Sequence, residues 1–402
     1  MSTADPRPAM SLCPHFGTGD RPPGIPASAC GGCASQDRPY DHQLAHKESL
    51  VRRLTDPFLT GEFRPIVPSP DVFHYRNKME FAFGGLKDEP PLLGLRQKGR
   101  FDRVVDLTEC RLLSPEAGPL LAAVRGWALA EKWPTYHLKS HRGLLRYLVV
   151  REGKNTGERM VALVTAEGEI PKDGFLAALD ASGARVDTVV WMVNAGLSDV
   201  AHGEERAVWR GRGTIDDRLG KKVFRVSPRS FFQSNTRGAE KLYGIVGDFL
   251  GEGADTLFDV YCGGGAIGLC LADRVKQVVG IESNPAAVAD ALQNARVQEA
   301  PNTEFHALDA ATFAKTPAWV EHWRAPRAVA VMDPPRPGLQ PDVRRLLLEQ
   351  PVSRWVYVSC NPEALARDLA YLAPVYDVKT VQPVDLFPHT PHVETVVRLD
   401  LK

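Results

Sequence analysis

The sequence predicts a doubly wound α/β domain that follows an antiparallel α+β domain and a small cysteine-rich segment. Beyond residue 236, short apolar strands alternate with helices, which is typical of a parallel sheet with helices on both faces. Between residues 72 and 226, short strand-like runs are bounded by glycines and charged turns, which predicts antiparallel pairing. Since 402 residues with 44% hydrophobic content exceed one typical core, we expect three units: 1–71, 72–235 and 236–402.

The first unit is rich in proline and glycine. The first 40 residues, whose Pro, Gly and Ser content is most notable at 17–29, show neither helical nor strand periodicity, so we expect them to form a loop. An odd total of seven cysteines in a reducing compartment favours metal ligands or a reactive thiol over a disulfide framework. They fall into an N-terminal and a C-terminal group: Cys13, Cys30, Cys33 and Cys110, then Cys262, Cys270 and Cys360.

Periodicity predicts the elements of the other two units. In the middle unit, strands are expected at 78–83, 144–150, 161–165 and 188–193, with helices at 115–132 and 171–181. In the C-terminal unit, strands are expected at 256–260, 277–281, 303–308, 328–332, 354–358, 378–383 and 395–399. Because no helical pattern separates the last two strands, we expect them to form an antiparallel pair at the sheet edge.

Charge and hydropathy exclude several classes of protein. Lysine plus arginine equal aspartate plus glutamate at 49 each, so no global positive field indicates nucleic-acid binding and any such contact must be local. No apolar run approaches the roughly 18 residues of a membrane span, and residues 1–12 lack an apolar signal-peptide stretch. We expect a soluble, cytoplasmic protein without a membrane partner.

A glycine-rich turn and three carboxylates predict a cofactor pocket. The strand at 256–260 runs directly into the turn at 261–266, whose glycines allow close approach of a ligand. Glu282 follows Gly263 by 19 residues, at the end of the second strand, where it can accept both ribose hydroxyls. Asp309 and Asp333 end the next two strands; the alternative is that these carboxylates only cap helices.

The same turn discriminates between cofactors. It has no G-x-G-x-x-G run and no lysine to hold phosphates. The pattern therefore favours S-adenosylmethionine over a dinucleotide or ATP.

Cys360 is a candidate nucleophile. It follows the fifth strand and lies just before Pro362, which suits the first position of a helix. Helix amides and dipole at that position favour a thiolate. The alternative is a small buried apolar residue.

Glu394 is a candidate base, the alternative being an exposed carboxylate in a surface loop. The C5 atom of uracil accepts a methyl group only after a thiolate has added to C6, and a base must then remove the C5 proton. Cys360 and Glu394 suit these two roles.

Five ordered motifs together resemble the bacterial RNA (uracil-5-)methyltransferase family. They occupy residues 227–235 (SPRSFFQSN), 259–265 (DVYCGGG), 333–336 (DPPR), 359–362 (SCNP) and 387–394 (FPHTPHVE). The resemblance spans nearly the whole chain and implies a Rossmann-like methyltransferase domain that makes 5-methyluridine. It implies Cys360 as nucleophile and Glu394 as proton acceptor. The residues implied to line the cofactor and base pocket are Gln233, Tyr261, Glu282, Asp309 and Asp333.

The cysteine segment resembles the rRNA branch of that family. The match consists of the CGGC run at 30–33 followed by Gln36, Tyr40, Gln43 and Lys47. It implies 23S rRNA rather than tRNA as the favoured partner. It also implies four ligands for a 4Fe–4S cluster: Cys13, Cys30, Cys33 and Cys110. Spacing alone suits zinc equally well, and the insertion at 17–29 makes Cys13 the least secure ligand.

RNA contact is expected on the middle and cysteine-rich units. Several family members begin with a small β-barrel, whereas only twelve residues precede Cys13 here. A local basic run offers phosphate contacts, the alternative being a solvated face; it comprises Lys139, His141, Arg142, Arg146 and Arg151, with Tyr147. We expect a monomer that flips its target uridine out of the stack.

Three rival functions stay open at this point. Methylation of an exocyclic amino group would place an aromatic residue after the two prolines of the fourth-strand motif, where this chain has Arg336. A radical S-adenosylmethionine enzyme would need three cysteines in one short loop. A catalytically silent iron–sulfur RNA-binding protein would have no use for Cys360 and Glu394 together.

Overall fold

The computed structural model describes residues 13–17, 30–85, 89–325 and 327–402. Of the loop predicted over residues 1–40, the structure describes 13–17 and 30–40, and these positions contain no helix or strand before Tyr40. The rest of that loop lies outside the described residues. The first helix is α1 (Tyr40–Thr55), and a short strand β1 (Leu59–Phe63) follows it. Gln43, Lys47 and Val51 are buried on one face of α1 because their spacing of four residues matches the helical repeat.

The middle part of the chain forms a mixed sheet. Its elements are β2 (Lys78–Gly84), β3 (Leu92–Gln97), β4 (Arg100–Asp106), α2 (Ala117–Ala130), β5 (Leu145–Glu152), β6 (Arg159–Thr165), α3 (Lys172–Ala181), β7 (Thr188–Val193) and β8 (Glu204–Arg210). Among the described residues the strand order is β4-β3-β2-β5-β6-β7-β8. The expected strands and helices are present, but β6 and β7 pair in parallel through the crossover helix α3. The expectation of a purely antiparallel sheet is therefore wrong at this pair.

Periodicity did not predict β3, β4 or β8. Most residues of β4 and β8 are partly or fully exposed and polar, so an alternating apolar pattern is weak or missing. A hairpin of β9 (Ile215–Leu219) and β10 (Lys222–Val226) then connects the two large sheets, with Gly220 at φ 58° in its turn.

The C-terminal part contains the predicted alternation of strands and helices. Its elements are α4 (Thr236–Leu250), β11 (Thr256–Val260), α5 (Ala266–Leu271), β12 (Gln277–Glu282), α6 (Pro285–Val297), β13 (Thr303–Ala307), α7 (Ala310–Lys315), α8 (Pro317–Trp323), β14 (Ala328–Met332), α9 (Pro341–Glu349), β15 (Arg354–Ser359), α10 (Pro362–Leu372), β16 (Tyr376–Val384) and β17 (Glu394–Leu401). Each predicted strand matches an observed strand to within two residues at either end.

These strands form a doubly wound sheet. In the described residues its order is β1-β16-β17-β15-β14-β11-β12-β13. Successive residues of β11 point to opposite faces: Leu257 packs in the core beneath α4, α5 and α6, whereas Phe258 packs beneath α7 to α10. Helices therefore cover both faces, as the continuous apolar strands predict. No helix of the described chain is both long and apolar enough to cross a membrane.

The N-terminal segment packs on this C-terminal sheet. β16 and β17 form the predicted antiparallel pair, but they are not the sheet edge, because β17 lies between β15 and β16 and β1 pairs in parallel outside β16. Val51 of α1 shares a buried core with Leu369 of α10. Residues 40–63 therefore belong structurally to the sheet that contains the chain's C-terminus.

Gly61 of β1 tests this packing. A Cβ atom at Gly61 would lie 2.2 Å from the carbonyl oxygen of Lys379 in the neighbouring β16. We expect Gly61→Ala to lower the free energy of unfolding by about 2 kcal/mol or more, since two backbones would have to separate. Gly126→Ala is the control. A Cβ atom at Gly126 would lie on an exposed face of α2 with no atom within 4 Å, so this substitution should raise the free energy of unfolding by about 1 kcal/mol. Urea unfolding of both variants measures the difference, and equal stability would contradict the packing of β1.

Candidate active site

A cavity of about 920 Å³ lies at the carboxyl ends of the central strands. It opens where the chain order reverses between β11 and β14, the position at which open α/β sheets bind ligands. The structure brings all seven residues singled out for catalysis and cofactor binding to this one cavity: Gln233, Tyr261, Glu282, Asp309, Asp333, Cys360 and Glu394.

The glycine-rich turn after β11 is held by Glu282. The Gly263 N–H donates to Glu282 Oε2 at 3.1 Å, and the Asn284 N–H donates to Oε1 at 2.8 Å. Gly263 and Gly265 have φ values of 53° and 76°, in the left-handed region that favours glycine. The turn is therefore a fixed wall of the cavity, with Glu282 attached to it.

Asp309 both caps a helix and lines the cavity. Its Oδ1 atom accepts from the Ala311 N–H at 3.0 Å at the start of α7, so Asp309 does cap a helix, but capping is not its whole role because the residue also lines the cavity. Its Oδ2 atom accepts from Gln340 Nε2 at 3.2 Å, and the Gln340 N–H donates to the Tyr261 hydroxyl at 3.4 Å. Gln340 thus connects two of the predicted cofactor residues.

Cys360 lies between β15 and α10. Asn361 caps α10 by accepting from the Glu363 and Ala364 N–H groups, and its Nδ2 atom donates to the Arg336 carbonyl at 3.0 Å. These bonds fix the turn that carries the thiol. Burial, and then the carboxyls of Glu394 and Asp333, raise the pKa of Cys360 to about 11. Burial thus opposes the thiolate form that the helix terminus was expected to favour.

Strand register brings Glu394 to the same end of the sheet as Cys360. β17 is antiparallel to β15 and pairs Thr395 with Ser359, so the residues adjacent to that pair are Glu394 and Cys360. Glu394 is 3% exposed, and its Oε2 atom has no hydrogen-bond partner among the described residues. Burial first, then Asp333, raises the pKa of Glu394 to about 8. A buried carboxyl with one oxygen unpartnered is available to exchange a proton with a ligand.

Asp333 and Gln233 link the cavity to the middle domain. Burial first, then Asp259, raises the pKa of Asp333 to about 7, while a hydrogen bond from the Gln233 side chain lowers it. Asn77 of the middle domain donates from Nδ2 to the backbone carbonyl of Gln233 at 2.7 Å. The middle domain therefore holds Gln233 in place, whereas Cys360 belongs to the C-terminal sheet.

The cavity also has walls that the motifs did not predict. Lys78 and His202 reach it from the middle domain, and Phe231 at its mouth is 67% exposed. Lys78 pairs with Glu80 at 2.5 Å. Phe231 lies within the 227–235 motif and could have been found there, whereas no sequence signal connects Lys78 or His202 to residues more than 100 positions away.

Two of the five basic residues in the run of the middle domain are buried and structural. Arg146 is 3% exposed and donates to the carbonyls of Asn194 and Gly196, at 2.9 and 2.6 Å. Arg151 is also buried and donates to the Ser230 carbonyl. The expected phosphate contacts are therefore wrong for these two arginines, while Lys139 remains exposed.

A second, smaller cavity is lined by Cys13, Cys30, Cys33 and Cys110. Burial first, and then the neighbouring cysteines, raise the pKa of Cys33 to about 12 and of Cys110 to about 11. Gln36 Nε2 donates to the Cys33 sulfur at 3.1 Å. Across the described ranges, no three His, Cys, Asp or Glu side chains are arranged as a ready-made metal site.

Fold and cavity define an S-adenosylmethionine-dependent methyltransferase. The family model described as tRNA (Uracil-5-)-methyltransferase matches residues 211–402. A protein of Clostridium tetani described as an uncharacterized RNA methyltransferase is 39% identical over 399 residues, covering 97% of this chain and 84% of that protein. The chain therefore belongs to the RNA (uracil-5-)methyltransferase family.

Two archaeal relatives carry a defined target in their names. The tRNA (uracil(54)-C(5))-methyltransferase of Pyrococcus horikoshii is 35% identical, covering 92% of this chain and 83% of that protein. The crystal structure of the Pyrococcus abyssi tRNA (uracil-54, C5)-methyltransferase in complex with S-adenosyl-L-homocysteine matches with a TM-score of 0.77 and 32% identity. It covers 92% of this chain and 86% of that one.

Protonation of Glu394 has a measurable effect on stability. Its pKa rises from 4.5 to about 8 on folding, so the folded protein retains a proton that the unfolded chain releases as pH rises. The contribution of that proton to the free energy of unfolding is fully present below pH 4.5 and is lost gradually as pH rises to about 8. Glu394→Gln stays neutral throughout, so its melting temperature relative to wild type should increase between pH 5 and pH 8.5.

Exposed Glu349 provides the control for this experiment. Glu349→Gln should shift the melting temperature by the same small amount at both pH values. A pH-independent effect of Glu394→Gln would mean that this carboxyl is already ionised at pH 5.

Proposed function

We propose that this enzyme methylates C5 of a uridine in RNA through a covalent adduct between Cys360 and the base, with Glu394 as the proton acceptor. The observation that carries the proposal is the common cavity, in which a thiol and an unpaired buried carboxyl flank the residues suited to hold the methyl donor. A silent RNA-binding protein would have no need to bury Glu394 without a partner, which is energetically unfavourable.

The proposed mechanism follows from the weak nucleophilicity of C5 in uracil. The Cys360 thiol first gives its proton to solvent. Its sulfur then forms a bond to C6, and the C5=C6 electron pair moves towards the C4 carbonyl oxygen to form an enolate. Bound S-adenosylmethionine would supply the methyl group to C5 and leave as S-adenosyl-L-homocysteine. The Glu394 carboxylate then takes the C5 proton, the C5=C6 bond re-forms, and the bond between C6 and the Cys360 sulfur breaks.

Residues of the C-terminal sheet suit the methyl donor. Glu282 has a carboxylate beside the glycine-rich turn, as required for two ribose hydroxyls. Asp309 and Tyr261 also line the cavity and are connected to each other through Gln340. Glu282, Asp309 and Tyr261 are proposed to hold S-adenosylmethionine.

Asp333 and Gln233 are proposed to contact the edge of the uracil. A neutral Asp333, favoured by its raised pKa of about 7, can donate to a carbonyl oxygen, and Gln233 both donates and accepts. Cytosine carries an amino group where uracil carries the O4 acceptor. This pair of side chains therefore provides a basis for selecting uracil.

The four-cysteine cavity is proposed to hold a 4Fe–4S cluster. Its cysteines are buried together, and Gln36 supports the site by donating to the Cys33 sulfur and accepting from the Cys13 N–H at 3.0 Å. Buried thiols with raised pKa values ionise only if a cation compensates their charge, which a metal centre does. The donor set suits zinc as well; only the family resemblance of the CGGC segment favours iron.

The proposed target is 23S rRNA, on the resemblance of that cysteine segment. A second candidate is tRNA, because the relatives with a defined target in their names act on uracil 54 of tRNA. Mapping 5-methyluridine in total RNA with and without the gene separates the two: the lost site lies in 23S rRNA or in tRNA. In either case we propose that the enzyme works as a monomer in the cytoplasm.

Cys360→Ala tests the nucleophile. We expect methyl transfer to be abolished, with S-adenosylmethionine affinity within a few fold of wild type, because the thiol acts on the base. RNA containing 5-fluorouridine at the target should form a covalent adduct that survives denaturing electrophoresis, since fluorine is not removed as a proton. The control, Cys270→Ala, removes a thiol outside the cavity and should retain the adduct. Absence of any wild-type adduct would contradict the mechanism.

Glu394→Gln tests the base. This variant should let Cys360 add and the methyl group move, and then stop before elimination. With labelled cofactor, denaturing gels should show a stable methylated RNA–protein adduct that wild type lacks. Turnover should fall by roughly the 10²–10⁴-fold typical of losing a general base. Normal turnover would mean that another group removes the proton.

A further inference from the structure

The loop between β16 and β17, residues 385–393, leads directly into Glu394 and is bound by one face of α1. Lys47 Nζ lies 2.8 Å from Asp385 Oδ1 and donates to the Phe387 carbonyl at 3.0 Å. The Tyr40 hydroxyl donates to Asp385 Oδ2 at 2.9 Å. Both charged partners are almost fully buried. The loop is therefore anchored at its start by the N-terminal segment.

Gln43 holds the middle of the same loop. Its Oε1 atom accepts from the His389 N–H at 2.9 Å, while its Nε2 atom donates to the carbonyls of Ser35 and Arg38, both at 2.9 Å. Two of these bonds are made to backbone groups near the start of α1 and the third to a backbone group 346 residues away in sequence. Gln43 therefore clamps residues 35–38 to residue 389.

Residues 35–38, which Gln43 holds, follow closely after Cys33 of the four-cysteine cavity. The His389 carbonyl accepts from the N–H groups of Ala34 and Ser35, at 2.7 and 3.2 Å, immediately after Cys33. Gln36 donates to the Cys33 sulfur. His389 itself has a φ of 65°, and its ring lies 4.3 Å from that of Phe73. A continuous set of hydrogen bonds thus runs from the cysteine cavity to the segment that ends at Glu394.

We propose that Gln43 is a positioning residue that couples the four-cysteine cavity to Glu394. Binding of the metal centre in that cavity then fixes the Glu394 carboxylate in the position from which it accepts the proton. This inference rests on the proposed function of Glu394 and gives a role to Tyr40, Gln43 and Lys47, which the chemistry alone leaves unused. Their spacing of three and four residues places them on one helix face.

Gln43→Met tests the coupling, because it roughly keeps the side-chain volume and removes every hydrogen bond of the Gln43 side chain, including its contact with His389 Nδ1 at 3.2 Å. Amide hydrogen exchange in peptides covering 385–394 should become roughly tenfold faster or more, as expected from losing buried hydrogen bonds in a locally opening segment. Labelled methylated adduct should accumulate on denaturing gels as it does in Glu394→Gln, while S-adenosylmethionine affinity stays within about twofold. His46→Ala, on the exposed side of α1, is the control and should change neither readout.

Cys33→Ser tests the contribution of the metal centre in the four-cysteine cavity. Iron and sulfide content are measured to establish that this variant has lost the cluster. Exchange in 385–394 should rise as in Gln43→Met, and the double variant should show no further increase, because both changes break the same connection. Additive effects, or unchanged exchange in Gln43→Met, would overturn the coupling.

The two proposals fail in distinguishable ways. If Glu394→Gln accumulates no adduct, the base is another group, and the exchange data still decide whether Gln43 couples the two regions. If Glu394→Gln accumulates adduct and Gln43→Met does not, the positioning role is wrong and the proposed base stands.

Discussion

The antiparallel register between β15 and β17 is the constraint on which the candidate site depends. A parallel strand of this sheet ends at the sheet's carboxyl end, where ligands bind, and an antiparallel neighbour begins at that same end. Pairing of Ser359 with Thr395 therefore puts Cys360 and Glu394 side by side although 33 residues separate them. A shift of one residue would turn Glu394 to the opposite face of the sheet.

That arrangement has an electrostatic consequence. Burial raises the pKa values of Asp333 and Glu394; Asp259 raises that of Asp333 further, Asp333 raises that of Glu394, and burial with both Glu394 and Asp333 raises that of Cys360. Arg336 lowers the pKa values of Cys360 and Glu394 but does not reverse the effect of burial. Burial therefore favours the neutral forms of the reacting groups, and a polar ligand that changes their solvation would favour ionisation.

The N-terminal segment contributes structure to the far end of the chain. α1 and β1 pack on the C-terminal sheet, and the buried pair of Lys47 and Asp385 fixes the loop before β17. A buried ion pair gives little net stability once desolvation is counted, but it favours one geometry strongly. Here the favoured geometry is that of the loop that leads to Glu394.

Sequence alone determined the local features of this protein. The doubly wound sheet followed from its apolar strands, and the site residues followed from short motifs whose chemistry requires a turn, a carboxylate or a thiol at a strand end. The parallel pairing of β6 with β7 and the placement of β1 outside β16 were decided by the tertiary structure, because strand neighbours depend on packing between distant segments. So were the raised pKa of Cys360 and the burial of Arg146 and Arg151. Solvation of a side chain is set by everything packed around it, and no local pattern records that.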